Sequence, residues 1–176
     1  MKCQINTVTE KNSKEKFMKQ VKITVSTSLS CSQEKAFSYF FDLVHFFKWY
    51  NDPGSFEAKS LNKYQFQNVG YKQQMVAGGG VVKFNSEVTE VARNRYVRGV
   101  ISGFFNGTFS WEFMAEKNGC RIVKEINIKG NNWLKQLLIK TIVKAGDIKH
   151  CDKAFRKLKN IIDNKSCVSD AQLISA

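Results

Sequence analysis

The chain has 176 residues, with one proline, 14 phenylalanines and 43% hydrophobic residues, which suits one domain with a single core and argues against a chain disordered throughout. Its 28 Lys and Arg against 15 Asp and Glu give a net charge of +13, which attracts anions of every kind without selecting among them. The basic residues are scattered, with no Arg-rich run and no signature of an RNA-binding sheet, so nucleic acid is not an expected partner. The 5 cysteines (Cys3, Cys31, Cys120, Cys151 and Cys167) are odd in number and lack Cys-x-x-Cys spacing, the pattern of reduced thiols. The first 20 residues hold no apolar run of signal-peptide length, and no apolar span of about 18 residues occurs anywhere, so a soluble cytoplasmic protein is expected. Residues 1–18 and 165–176 show no periodic apolar pattern and are expected as flexible tails around a domain at 19–164.

In chain order, Val21, Ile23 and Val25 alternate with Lys22, Thr24 and Ser26, which predicts a strand. Ser30 or Ser32 then caps a helix with Glu34 in its first turn, and Ala36, Phe37, Phe40 and Phe41 follow at helical spacing. Leu43 to Trp49 forms a second short helix, ended by Asn51-Asp52-Pro53-Gly54. Strands are predicted near 55–61, 66–77, 81–92, 95–104, 108–116 and 120–129, separated by Gly78-Gly79-Gly80, Arg93-Asn94, Asn106-Gly107 and Asn118-Gly119.

A long helix from about Asn131 to Asp163 closes the chain. Leu134, Thr141, Ile148, Phe155 and Ile162, with Leu137, Ala145, Cys151 and Leu158 between them, form its inward stripe, and lysines fill much of the rest. In the first half Leu138, Ile139, Ile142 and Val143 widen the apolar face and Gly146 interrupts it. That half reads as the wall of a cavity, or alternatively as a broad core contact.

A strand, two short helices, six strands in hairpin succession and a long helix make an α+β order. Over roughly residues 20–163 this layout resembles the START-like, or SRPBCC, superfamily of helix-grip proteins. The likeness is carried by the Ile23–Ser30 strand leading into Glu34-Lys35-Ala36-Phe37, by Phe41-Asp42-Leu43 to Trp49, and by Gly119-Cys120-Arg121-Ile122-Val123. Cys31-Ser32-Gln33 stands where a proline is usual, and Gly119-Cys120 where Gly-Thr is usual. The resemblance implies a curved seven-stranded antiparallel sheet gripping the helix, with an apolar cavity between them. Polyketide cyclase-like proteins, lipid-transfer domains and birch-pollen-allergen relatives share this fold, so no single activity is implied.

Two-residue turns at Asn106-Gly107 and Asn118-Gly119 would set Phe104 opposite Phe109, Arg98 opposite Ala115, Trp111 opposite Ile126, Phe113 opposite Lys124 and Glu116 opposite Arg121. One face then carries Phe109, Trp111 and Phe113 together with Arg98 and Lys124. Cations on an apolar face require a carboxylate such as Asp152 or Asp163, an escape to water, or an anionic ligand group. Tyr71, Gln73 and Met75 share one parity of an earlier strand, and Phe84 lies on the next.

The candidate ligand contacts are therefore Trp49, Tyr71, Gln73, Met75, Phe84, Arg98, Phe109, Trp111, Phe113, Leu138, Ile142 and Gly146. Strand alternation brings the loops at 78–80, 104–107 and 130–133 to one end, so Phe104, Phe105 and Trp133 would rim a mouth with Gly79 in its lip. Such a rim beside a lysine-rich helix also suits transient contact with an anionic membrane.

His45 is a candidate general acid or base, or else a structural residue of an aromatic helix. His150 and Cys151 are adjacent on a helix and point about 100° apart, which makes no compact metal pair. No nucleotide, serine-hydrolase or zinc-protease motif is present, and no metal or other cofactor is expected. The leading expectation is a protein that binds a hydrophobic small molecule or lipid. The alternative is a cyclase or dehydratase acting on a polyketide-like or terpenoid-like substrate through His45, Tyr71, Arg98 and Lys124. A third class, a protein-interaction module, would have a collapsed cavity and an exposed apolar patch.

Overall fold

The computed structural model of the protein describes residues 20–172, so the tail expected over 1–18 lies outside the described residues, as do 173–176. Strand β1 (Val21–Leu29) buries Ile23 and Leu29 and leads into helix α1 (Gln33–Phe41). Ser32 is its cap, with the side chain accepting a 3.2 Å hydrogen bond from the Lys35 amide. Asp42 breaks the helix and caps the next, α2 (Leu43–Tyr50), by accepting from the amides of Val44 and His45.

Six strands follow: β2 (Phe56–Ser60), β3 (Lys72–Ala77), β4 (Val82–Ala92), β5 (Tyr96–Gly103), β6 (Phe105–Glu116) and β7 (Gly119–Gly130). They join β1 in one antiparallel sheet ordered β1-β7-β6-β5-β4-β3-β2. The last segment is one helical rod made of α3 (Trp133–Leu138), a π turn (Ile139–Val143) and α4 (Lys144–Gln172). A seven-stranded curled sheet closed by this rod, with two short helices after β1, is the helix-grip architecture.

The aromatic side chains settle at one end of the concave face. Phe40 meets Trp49, Trp111 and Phe113 edge-on at 4.8–4.9 Å between ring centres, and Phe46 stacks on Tyr50 and Phe66. Phe155 of α4 closes this half against Trp111. Gln33 ties α1 to the sheet by donating to the carbonyls of Asn94 and Phe113.

The strand expected over 66–77 starts only at Lys72, and the closing helix runs past Asp163 to Gln172, into the tail expected over 165–176. Two further elements of the sequence reading change. Asn106-Gly107 is not a turn, because both residues lie inside β6 and the chain reverses at Gly103-Phe104 instead, where Gly103 adopts φ +117°. Gly107 is needed for close approach: a Cβ there would sit 1.9 Å from the Asn127 carbonyl oxygen on β7. The register therefore pairs Arg98 with Ser110, Gly99 with Phe109 and Val97 with Trp111. This odd-numbered slip from the expected pairing turns Arg98 to the outer face. At the following hairpin the slip is even, giving Phe109–Ile126, Trp111–Lys124, Phe113–Ile122 and Glu116–Gly119, so Lys124 keeps the inward parity and Arg121 lies opposite Met114.

The second change concerns the helix stripe. Cys151, Phe155, Leu158 and Ile162 are buried, but Leu134, Leu137, Thr141, Ala145 and Ile148 are exposed. In this region α3 and the π turn pack on β7, where the narrow contact buries Gln136 and Ile139, whereas α4 packs against both α2 and β1. Gln136 locks the junction by accepting from the Gly130 amide at 2.7 Å.

If Gly107 serves strand packing, Gly107→Val should lower the unfolding free energy by about 2–3 kcal/mol through overpacking. The exposed neighbour change Asn106→Ala should cost less than about 1 kcal/mol. Urea denaturation of both variants checks this, and the opposite ranking would restore the turn.

Candidate functional site: a cavity between sheet and helix

Where the aromatic filling ends, the concave face carries smaller side chains: Ile23, Ala77, Val82, Ile101, Ile126 and Ile128. The rod covers them with Ile142, Val143 and Gly146, and a Cβ placed on Gly146 would meet no atom within 4 Å. The result is a largely apolar cavity of about 270 Å³, completed by Phe56, Phe84 and Phe105. Its exposed lining residues, Ser55, Gly78, Ile142, Gly146, Lys149 and Lys153, place the opening between the helical rod and the β2–β3 edge.

One side of the cavity is polar. Lys124, only 3% exposed, donates from Nζ to Asp147 Oδ1 at 2.6 Å and to Cys151 Sγ at 3.1 Å. Its ammonium also lies 5.6 Å from the Trp111 ring centre and 5.8 Å from that of Tyr50. Burial works against the charge on Lys124, but Asp147, followed by Cys151 and Tyr50, outweighs burial and holds its pKa well above the ordinary lysine value. Burial pushes the Cys151 thiol up to about 11, so it is protonated at neutral pH.

One helical turn after Asp147, His150 lines the same cavity, stacked on Phe56 at 4.0 Å and edge-on to Tyr50 at 5.0 Å. Burial first, and the Lys124 ammonium second, push its imidazole down to about 4, which makes it neutral at physiological pH. Neither ring nitrogen has a hydrogen-bond partner among the described residues. At the rim Lys153 holds Asp52 at 3.0 Å, which lowers the Asp52 pKa.

Of the residues picked from sequence, Phe84, Ile142 and Gly146 line this cavity, as does Phe105 from the expected rim. Gly78, not Gly79, contributes from the triple-glycine turn, whose glycines all have positive φ. Phe104 sits under the Lys135 ammonium, and Trp133 projects into solvent. Trp49, Trp111 and Phe113 belong to the filled aromatic half, and the buried Phe109 ring lies where a Cβ on Gly99 would stand, 2.5 Å away. Leu138 is outside the lining.

Tyr71, Gln73 and Met75 share a buried face next to β2 and β4 and do not reach the cavity, and burial pushes the Tyr71 phenol up to about 12. Arg98 is on the outer face, ion-paired with Glu112 at 3.1 Å and Glu90 at 3.7 Å over the Tyr96 ring. His45 bonds the capping carboxylate of Asp42 at 2.6 Å and is not among the residues that line the cavity. Asp152 instead pairs with Arg156, and Asp163 accepts from Ser30. Sequence reasoning missed the importance of Asp147 and His150 at the cavity. Their spacing of one helical turn beside Gly146 was the available signal.

No protein-family description matches the chain, and no curated relative matches it. Among solved structures it is similar to protein TTHA0849 of Thermus thermophilus, with 14% identity over 83% of this chain and 99% of that one and a TM-score of 0.64. It is also similar to ginseng major latex-like protein 151 of Panax ginseng, with 11% identity, coverage of 82% and 98%, and a TM-score of 0.62. The Aha1 dimer of Colwellia psychrerythraea shares 16% identity over 81% and 96% of the chains, with a TM-score of 0.58. These likenesses establish the helix-grip fold. No helix among the described residues is long and apolar enough to cross a membrane.

Two outcomes test the polar side of the cavity. Lys124→Met should cost about 3–5 kcal/mol, because it strands a half-buried Asp147 carboxylate, and Asp147→Leu in the same chain should recover most of that loss. Equal stability of the single and double variants in denaturant titrations would contradict the pairing. For His150, the unfolded imidazole titrates near about 6.5. Its stabilising share is therefore complete above about pH 6.5 and lost progressively as pH falls towards about 4. Between about pH 7 and about pH 4.5 the parent should lose about 2 kcal/mol more unfolding free energy than His150→Phe, and parallel pH profiles would contradict a buried neutral imidazole.

Proposed function

We propose that this protein binds a small hydrophobic molecule, or the apolar end of a lipid, in the cavity between its sheet and its C-terminal helix. The observation that carries this reading is the apolar space beside Gly146, where the covering helix has no side chain and the sheet below is aliphatic. An engineered apolar cavity of about 150 Å³ admits benzene, so the larger volume here suits a bicyclic compound or a medium-length chain. Among SRPBCC-like proteins, this favours a carrier of the lipid-transfer kind over a polyketide cyclase.

Binding is preferred to turnover because the groups chosen for catalysis do not converge. His45 and Arg98 are engaged with carboxylates away from the cavity, Tyr71 is buried elsewhere, and Lys124 is committed to Asp147. The reading extends to an anionic bilayer as the place where ligand is exchanged. Trp133, Leu134, Leu137 and Ile142 are exposed along the helical rod, with Lys135, Lys140 and Lys144 interspersed and the cavity opening next to them.

Gly146→Phe fills the cavity from a position with room for the ring, so it should weaken uptake of a hydrophobic fluorophore at least tenfold while leaving Tm unchanged or higher. Undiminished uptake would place the binding elsewhere. For the bilayer, co-sedimentation with phosphatidylserine-containing vesicles should exceed that with neutral phosphatidylcholine vesicles. The double change Trp133→Ser with Leu134→Ser, which removes apolar insertion and keeps the charge, should weaken sedimentation with the phosphatidylserine vesicles, and equal sedimentation of the parent with both vesicle types would overturn this part of the reading.

A further inference from the structure

We propose that Asp147 and His150 form the polar anchor of the cavity and that the ligand carries an uncharged hydroxyl group, as an aliphatic alcohol or phenol does, seated between them. This rests on the reading of the cavity as a ligand site and specifies which ligands it takes. The two side chains are one helical turn apart on the wall of one cavity, at the boundary between its apolar space and the buried Lys124.

His150 is 93% buried by its 7% relative exposure, and neither of its ring nitrogens is hydrogen-bonded among the described residues. A buried polar ring left in that condition is costly, and a group that satisfies it gains accordingly. The neutral imidazole offers one N–H donor and one acceptor nitrogen. Asp147 offers an acceptor: its Oδ1 is taken by Lys124 at 2.6 Å, whereas its Oδ2 has only the weak Cys151 thiol contact at 3.9 Å.

A hydroxyl is the smallest group that donates to a carboxylate oxygen and accepts from an imidazole N–H at the same time. A carboxylate ligand would face the Asp147 charge while the cation that neutralises Asp147 is already engaged. An ammonium ligand would meet the Lys124 charge behind the same carboxylate. An alkane would fill the space and leave the imidazole unsatisfied. The rim cation Lys153 is held by Asp52, and Lys149 is exposed to water, so neither offers a buried counter-charge to an acid.

The test uses the full-length protein with 1-octanol, octane, octanoate and octylamine as probes, each displacing a bound hydrophobic fluorophore. Octanol should bind about tenfold more tightly than each of the others, the worth of one or two hydrogen bonds. His150→Phe should remove this preference, and His150→Gln should restore part of it.

In the unmutated protein labelled with ¹⁵N-histidine, octanol should shift the His150 ring nitrogens and leave those of His45 in place. This measurement decides the matter if His150→Phe does not fold. Octane binding without an alcohol preference, octanoate binding more tightly than octanol, or a preference that survives His150→Phe would each overturn the anchor while leaving the cavity reading intact. If octane and the other probes all fail to bind, the cavity reading falls and the anchor falls with it.

Discussion

A single helical rod has to cover the concave face of a strongly curled seven-stranded sheet, and the side chains available to fill the space between them are unevenly distributed. Phe40, Phe46, Trp49, Tyr50, Trp111, Phe113 and Phe155 gather at one end, where α1 and α2 bring in most of the rings. At the other end isoleucines and valines face a rod whose contact residues are Ile142, Val143 and Gly146. A close-packed interior tolerates few voids larger than a water molecule, so a cavity of about 270 Å³ marks a place where the sequence does not supply filling. The π turn at the same level, closed by the bond from the Lys144 amide to the Ile139 carbonyl, fits this view, since such turns often interrupt helices at functional sites.

The polar side of the cavity depends on that boundary. Lys124 stands at the edge of the aromatic half, opposite Trp111 in register, and its charge is sustained by the one carboxylate the rod provides at that height. A buried ion pair of this kind is a weak source of net stability but a strong constraint on geometry, because breaking it on one side leaves a charge in a poor solvent. It fixes the rotation of α4 about its axis, and with it the placement of His150 against Phe56 and of Gly146 over the sheet.

The fold was readable from sequence because its signals are local and repeated: the β1 alternation, the caps at Ser32 and Asp42, and the chain of hairpins. The candidate site was readable only in part. Asn106-Gly107 has the composition of a tight turn, yet the glycine is required where β6 approaches the β7 backbone, and a sequence pattern does not separate the two uses. The resulting slip put Arg98 on the wrong face, whereas the next hairpin slipped by an even number and left Lys124 inside. The heptad reading of the rod assumed a partner along its whole length. Leu134, Thr141 and Ile148 show that the partner narrows to β7 in the first half. Asp147 was not singled out, and His150 was weighed only as a metal partner of Cys151, because a carboxylate and an imidazole on a lysine-rich helix look like solvated residues until the sheet places Lys124 beneath them.

On the binding proposed above, the space beside Gly146 holds a hydrophobic molecule in the working protein. Native mass spectrometry of freshly purified protein, followed by solvent extraction of the denatured sample, checks for that molecule. The folded protein should show a second mass peak that disappears on denaturation, with release of a small apolar compound bearing one polar group. A single peak at the mass of the bare chain, from protein that also takes up neither octane nor octanol, would contradict it and make the cavity a packing defect.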